Sequence, residues 1–197
     1  MHITRRKTRQ ITVGKVKIGG DAPVSVQSMC STDTRDTVAT IEQIRQLEAA
    51  GCEVIRVAVP DDEAAAALPK IKAAMTVPLI ADIHFDHRLA LKAAETVDCV
   101  RINPGNIGAW WKVEEVIKAV NDHGIPIRVG VNGGSLERDL LDKYGWPSPE
   151  ALAESALNAV HALEDVGFTN MKVSLKASDV HHAIDAYWLF AHQSDYP

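Results

Sequence analysis

Cysteine is scarce in this chain, and what little there is excludes two function classes. Only Cys30, Cys52 and Cys99 occur in 197 residues, far apart and without a CxxC pair. That count builds neither a disulfide framework nor a zinc-type ligand set, and it fits buried thiols in a reducing cytoplasm. No stretch approaches the roughly 20 apolar residues of a membrane span. The basic opening (Arg5, Arg6, Lys7, Arg9) lacks the apolar run that a secretory signal needs. An excess of positive charge is also missing: the formal net charge is −5, which argues against a general nucleic-acid or membrane-surface binder. No linker, low-complexity tract or charge block interrupts the chain, so residues 1–197 read as one cytoplasmic domain, with 46% hydrophobic content to build one core.

What the chain has is a repeated strand of unusual polarity. Val54-Ile55-Arg56-Val57-Ala58-Val59, Cys99-Val100-Arg101-Ile102-Asn103 and Ile127-Arg128-Val129-Gly130-Val131-Asn132 are β-branched runs, each with an arginine near its middle. Side chains on a strand alternate between faces, so one face of each run is aliphatic and the other carries the arginine. A short hairpin is expected around Val13-Gly14-Lys15, and a first strand at Val24–Gln27. Helices are expected from Asp36 to Ala50, after Asp61, from Asp86 to Glu95, over 112–122, from Ser148 to Val166 and from Ser178 to Ala191. Gly51, Gly124 and Gly167 stop three of them.

Strand then helix, six times over, specifies parallel strands with right-handed crossovers. A doubly wound sheet needs strands apolar on both faces. Here one parity is polar in all six: Ser25 and Gln27; Arg56; Asp82 and His84; Arg101 and Asn103; Arg128 and Asn132; Lys172, Ser174 and Lys176. Only an enclosed interior accommodates that set. The fold class is therefore α/β, a (β/α)8 TIM-type barrel preceded by a hairpin. A complete barrel takes about 250 residues, so six of eight units are expected, with a seventh strand beginning near Asp195-Tyr196-Pro197. The edges at Val24–Gln27 and Met171–Lys176 are then expected to be unpaired and Ile184 and Leu189 uncovered, giving an oligomer or aggregate of low stability.

Barrel sites lie at the carboxyl ends of strands. Asp82, His84, Asn103, Asn132 and Lys176 hold those positions, with Arg56, Arg101 and Arg128 a layer lower. Three arginines and two lysines against one aspartate leave the inner face about +4 with His84 neutral, the reverse of the whole molecule. Guanidinium forks match phosphate oxygens, and the turns Asn103-Pro104-Gly105-Asn106 and Asn132-Gly133-Gly134-Ser135 add backbone donors. A phosphorylated, diphosphate-like ligand follows; the alternative is that the arginines are interior scaffolding around Asp82. Asp82 and His84 form a possible acid–base pair, or with Asp86 and His87 a loose metal cluster. His87, in a first helical turn, is expected to point outward, so no metal ligand is assigned. Cys30 at the mouth has no identifiable base, and Trp110, Trp111, Trp146 and Trp188 read as packing residues.

The same stretches resemble the 4-hydroxy-3-methylbut-2-enyl diphosphate synthases of the non-mevalonate isoprenoid pathway. The likeness runs from Ile3 to Ala191 through Val26-Gln27-Ser28-Met29, Thr32-Asp33-Thr34, Ala81-Asp82-Ile83-His84-Phe85-Asp86, Arg101-Ile102-Asn103-Pro104-Gly105-Asn106-Ile107-Gly108, the Arg128–Leu136 stretch and Val173-Ser174-Leu175-Lys176-Ala177-Ser178-Asp179. It implies a barrel that binds a cyclic methylerythritol diphosphate, with Arg56, Arg101, Arg128 and Lys176 gripping the diphosphate and Asp82, His84, Asn103 and Asn132 orienting the substrate. It further implies a 4Fe-4S cluster on a separate C-terminal domain, whose ligands this sequence lacks, and a ferredoxin- or flavodoxin-type electron donor. The chain by itself is expected to bind the cyclic diphosphate weakly or not at all and to reduce none. A pterin-type condensing barrel and a non-catalytic anion-binding fragment are the competing readings.

Overall fold

The structure, a computed structural model, describes residues 5–197; Ile3, where the resemblance begins, lies outside them. An antiparallel hairpin, β1 (Gln10–Val13) and β2 (Val16–Gly19), comes first. Six parallel strands follow: β3 (Gln27–Met29), β4 (Val54–Ala58), β5 (Leu79–Asp82), β6 (Cys99–Ile102), β7 (Ile127–Asn132) and β8 (Met171–Lys176). Helices α1 (Thr37–Ala49), α2 (Asp62–Ala73), α3 (His87–Ala94), α4 (Pro104–Ile107), α5 (Trp110–Asp122), α6 (Arg138–Tyr144), α7 (Pro149–Asp165) and α8 (Val180–Gln193) connect and follow them. Asp36, Asp61, Asp86, Ser148 and Asp179 cap α1, α2, α3, α7 and α8 through their side-chain oxygens.

Strand order in the sheet is β3-β4-β5-β6-β7-β8, each paired parallel with its neighbour in sequence. A doubly wound sheet reverses its order at a switch point. None occurs here, so every right-handed crossover places its helix on the same face and the sheet curls around the other. The curl is visible in one contact: the Arg128 guanidinium of β7 donates to Gln27 Oε1 of β3 at 3.2 Å, across the interior. This is the barrel expected from strand polarity. Its outward faces (Ile55, Val57, Val100, Ile102, Ile127, Val129) pack with Leu68, Ile71, Val116 and Leu152 of the helices in one apolar core.

The hairpin seals the amino ends of the strands. Ile11 and Val13 pack on Val54, Ile80 and Cys99, the lowest inward-facing residues of β4, β5 and β6. Its turn residue Gly14 has φ +54°, and a Cβ there would lie 2.8 Å from the Pro78 ring, so a side chain fits neither the backbone nor the space.

Three expectations need correction. The first strand runs from Gln27 to Met29, not from Val24. Val24 and Val26 are 80% and 57% exposed; the Val26 carbonyl accepts from the Glu53 and Val54 N–H groups, but its own N–H is taken by the Glu53 carboxylate. The four tryptophans are surface residues rather than packing residues. The outer edge of β8 is not bare: Val173 N–H donates to the Pro197 carbonyl at 2.9 Å and Leu175 N–H to the Tyr187 hydroxyl at 3.1 Å. Ile184 is exposed as expected, whereas Leu189 is partly covered.

Candidate anion-binding site

The inner face carries one register row of charge. Asp82 pairs with Arg101, Arg101 with Arg128 and Arg128 with Lys172, on four successive strands from β5 to β8. The row is staggered, as a curled parallel sheet requires. Arg56 is paired with Ile80, and Ile80 with Cys99, yet Ile80 and Cys99 lie in the layer the hairpin covers while Arg56 stands above it. Each row thus descends toward the hairpin as it passes to later strands.

Asp82 is the hub. Its carboxylate is 4% exposed; Oδ1 accepts from Arg101 Nη1 at 3.0 Å, and Oδ2 has Arg56 Nε at 3.6 Å and His84 Nε2 at 3.3 Å. Arg56 also lies against the Met29 sulfur, 3.2 Å from Nε and 3.1 Å from Nη2. Arg101 lies over Gly130, whose carbonyl accepts from Nη2 at 3.3 Å, and a Cβ on Gly130 would overlap the guanidinium. The Arg101 Nε is buried without a hydrogen-bond partner. Arg128 has only neutral acceptors, Ser174 Oγ at 3.1 Å and Gln27 Oε1. Burial, reinforced by the neighbouring Arg56 and Arg101 charges, holds its guanidinium below the ordinary arginine range. Neither Arg128 nor Lys172 has a carboxylate partner among the described residues. One carboxylate facing four cations leaves the cavity strongly electropositive, and an unpartnered buried donor adds a vacant hydrogen bond.

At the mouth, His84 is half-exposed, its ring edge-to-face with Phe85. Lys176, at the end of β8 in register with Asn132, is exposed. Asn103 and Asn132 are engaged with the turns that follow them. Asn103 Oδ1 accepts from Gly105 N–H at 3.2 Å and its amide donates to Ser135 Oγ at 2.9 Å. Asn132 Oδ1 accepts from Gly134 N–H at 3.1 Å. Each asparagine caps the turn that follows it, and the Asn103–Ser135 bond ties the two turns together.

His87, expected to point outward, is instead tucked between α3 and α5, its Nε2 3.1 Å from Glu115 Oε2 and its ring edge-to-face on Trp111. It faces away from the cavity because the Asp86 cap fixes the first turn over α5. Among the described residues no group of three or more His, Cys, Asp or Glu could hold a metal ion. All three thiols are buried and free, and burial pushes those of Cys30 and Cys99 up to about 11. Thiols held protonated in that way are poor cluster ligands and poor nucleophiles, so these residues do not fit an iron–sulfur cluster. No helix of the described residues is long and apolar enough to cross a membrane.

Residues 8–197 match the GcpE TIM-barrel domain family. The chain belongs to that family. It is 59% identical over 194 residues to the 4-hydroxy-3-methylbut-2-en-1-yl diphosphate synthase (flavodoxin) of Geobacter sulfurreducens, a match covering 98% of this chain and 55% of the relative. It is 57% identical over 196 residues to the protein of the same name from Acidithiobacillus ferrooxidans, covering 99% and 54%. The chain thus spans about half the length of the curated relatives it matches. Solved structures resemble the GcpE-type barrel in fold alone. Phospho-2-dehydro-3-deoxyheptonate aldolase of Thermotoga maritima superimposes with a TM-score of 0.66 at 14% identity, covering 97% of this chain and 54% of that one. Dihydropteroate synthase of Xanthomonas albilineans gives 0.61 at 12%, covering 94% and 73%.

Proposed function

We propose that this chain forms the substrate-binding barrel of a 4-hydroxy-3-methylbut-2-enyl diphosphate synthase, which opens 2-C-methyl-D-erythritol 2,4-cyclodiphosphate reductively and expels water. The observation that carries the proposal is the buried register row, with three cations to one carboxylate and Arg56 as a fourth cation above it, inside a family whose relatives are named for a diphosphate product. A cyclic diphosphate brings the negative charge this cavity lacks. Arg56, Arg101 and Arg128 receive the phosphate oxygens from within, and Lys176 closes on them from the rim. Guanidinium donors hold such oxygens in a fixed fork, which orients the sugar ring as well as binding it.

Asp82 fixes Arg101 and Arg56 in place and aligns His84 Nε2, leaving the half-exposed imidazole at the mouth to exchange a proton with the ring substituents. Asn103 and Asn132 act through the turns they cap at the carboxyl ends of β6 and β7. The described residues offer an iron–sulfur cluster no ligand set, so the role assigned to this chain is binding and orientation. A flavodoxin, which the relatives carry in their names, is the electron donor we assign to the complete enzyme.

Calorimetric titration of pyrophosphate tests the reading. Arg101→Ala removes a charge-assisted contact worth about 1.5–3 kcal/mol, so affinity falls roughly tenfold to a hundredfold. Arg101→Lys keeps the charge without the fork and falls between the two. Equal binding by all three proteins would return Arg101 to the role of scaffold.

A further inference from the structure

Lys172 is the residue of this cavity that neither strand-end position nor the turns account for. It is 8% exposed, stands in register with Arg128 and shares the inward parity of Ser174 and Lys176. Its neighbours are Arg128, Arg56 and the Cys99 thiol, the last belonging to the layer the hairpin covers. Its ammonium makes no hydrogen bond and no ion pair among the described residues. Lysine stems ordinarily lie along apolar surface with the head in water, but here the side chain is held on the inner face beside Arg128, Arg56 and Cys99. A methionine or leucine would fill that position without placing a largely desolvated charge beside two arginines. The charge therefore has to be explained by something that enters the cavity from the mouth.

We propose that Lys172 is a positioning residue of the anion site: from the floor it raises the positive potential of the cavity and, by repulsion, keeps the Arg128 guanidinium directed toward the ligand. The proposal rests on the anion-binding reading above and adds to it a residue that does not itself grip the phosphate. Burial, with the Arg128 and Arg56 charges adding, holds the Lys172 ammonium below the ordinary lysine range, as a cation awaiting a counter-charge should be. Acting through space in a cavity of low effective dielectric, its effect scales with the charge of the ligand.

The test uses the whole chain with inorganic pyrophosphate and, separately, inorganic phosphate as probes, read by calorimetric titration, together with melts in the absence of either. Lys172→Met weakens pyrophosphate roughly tenfold and phosphate by distinctly less, because fewer charges feel the loss. Lys172→Arg restores most of the pyrophosphate affinity. Without anion, Lys172→Met melts no lower than the parent, which separates lost charge from lost packing. Lys172→Met binding pyrophosphate as the parent does overturns the proposal while leaving the anion site intact. An equal loss for both probes, unrescued by arginine, overturns it in favour of a packing role. A parent chain that binds neither probe overturns the anion-site reading itself, and this proposal with it.

Discussion

Replacing Asp82 with asparagine removes the one negative charge from the inner face while keeping the size and hydrogen-bonding shape of the side chain. The carboxylate is almost wholly buried, and its partners Arg101 and Arg56 lie at 3.0 and 3.6 Å with less than a quarter of either side chain exposed. Breaking a buried pair by removing one partner costs about 3–5 kcal/mol, since the other is left as an uncompensated charge. Arg56 keeps some access to water and only the Arg101 contact has hydrogen-bond length, which puts the expected loss at the lower end, about 3 kcal/mol. For a domain of this size each 1 kcal/mol moves Tm by about 2–4 °C, so Asp82→Asn should melt roughly 6–12 °C below the parent. The same variant has a more electropositive cavity, and pyrophosphate should raise its Tm by more than it raises the parent's. Melts followed by circular dichroism, with and without pyrophosphate, measure both effects. A variant that melts within about 2 °C of the parent, or gains no more from pyrophosphate, would refute the assignment of Asp82 as the charge that holds the arginines in place.

Two further outcomes are expected. Gly130→Ala places a methyl group in the Arg101 guanidinium; the arginine's flexible end gives way, so pyrophosphate affinity falls several-fold while stability drops by only about 1–3 kcal/mol, and unchanged binding would show that Arg101 need not lie over Gly130. The Cys30 and Cys99 thiols, pushed up to about 11 in the folded chain against about 9 when unfolded, should resist a thiol reagent at pH 8 until denaturant is added. Because the folded state holds those protons longer, their contribution to stability is complete below pH 9 and is lost as pH rises toward 11. Rapid native labelling of either residue would contradict their burial.

The barrel was legible because polarity on a strand is a two-valued signal. Arg56, Arg101, Arg128 and Lys172 share the parity of Asp82 with no knowledge of pairing, and the sheet order agrees. Strand offsets were not legible, since they depend on how neighbouring helices pack. For that reason nothing in the sequence placed Asp82, Arg101, Arg128 and Lys172 in one row. Ranking residues by closeness to the strand end favoured Lys176 and passed over Lys172, whose signal was its inward parity low on an apolar strand. Asn103 and Asn132 were read for the ligand, although Asn-Pro-Gly and Asn-Gly-Gly are turn-capping strings, and that local chemistry is what the structure displays. The start of β3 failed because Val24 and Val26 have the composition of a strand, yet both side chains are exposed and the Val26 N–H is taken by the Glu53 carboxylate.

The hairpin has a consequence for the order in which the molecule comes together. Residues 10–19 leave the ribosome before any of the surfaces they cover, and the last of those, Cys99, follows some 80 residues later. Its arm is fastened later still: Arg6 donates to the Ser194 and Tyr196 carbonyls, and Arg9 stacks 4.2 Å over the Tyr196 ring. The hairpin is therefore made well before it can dock. Ile11 and Val13 stay bare at least until β6 has been made, and the floor beneath the cations closes only after the strands it seals are in place.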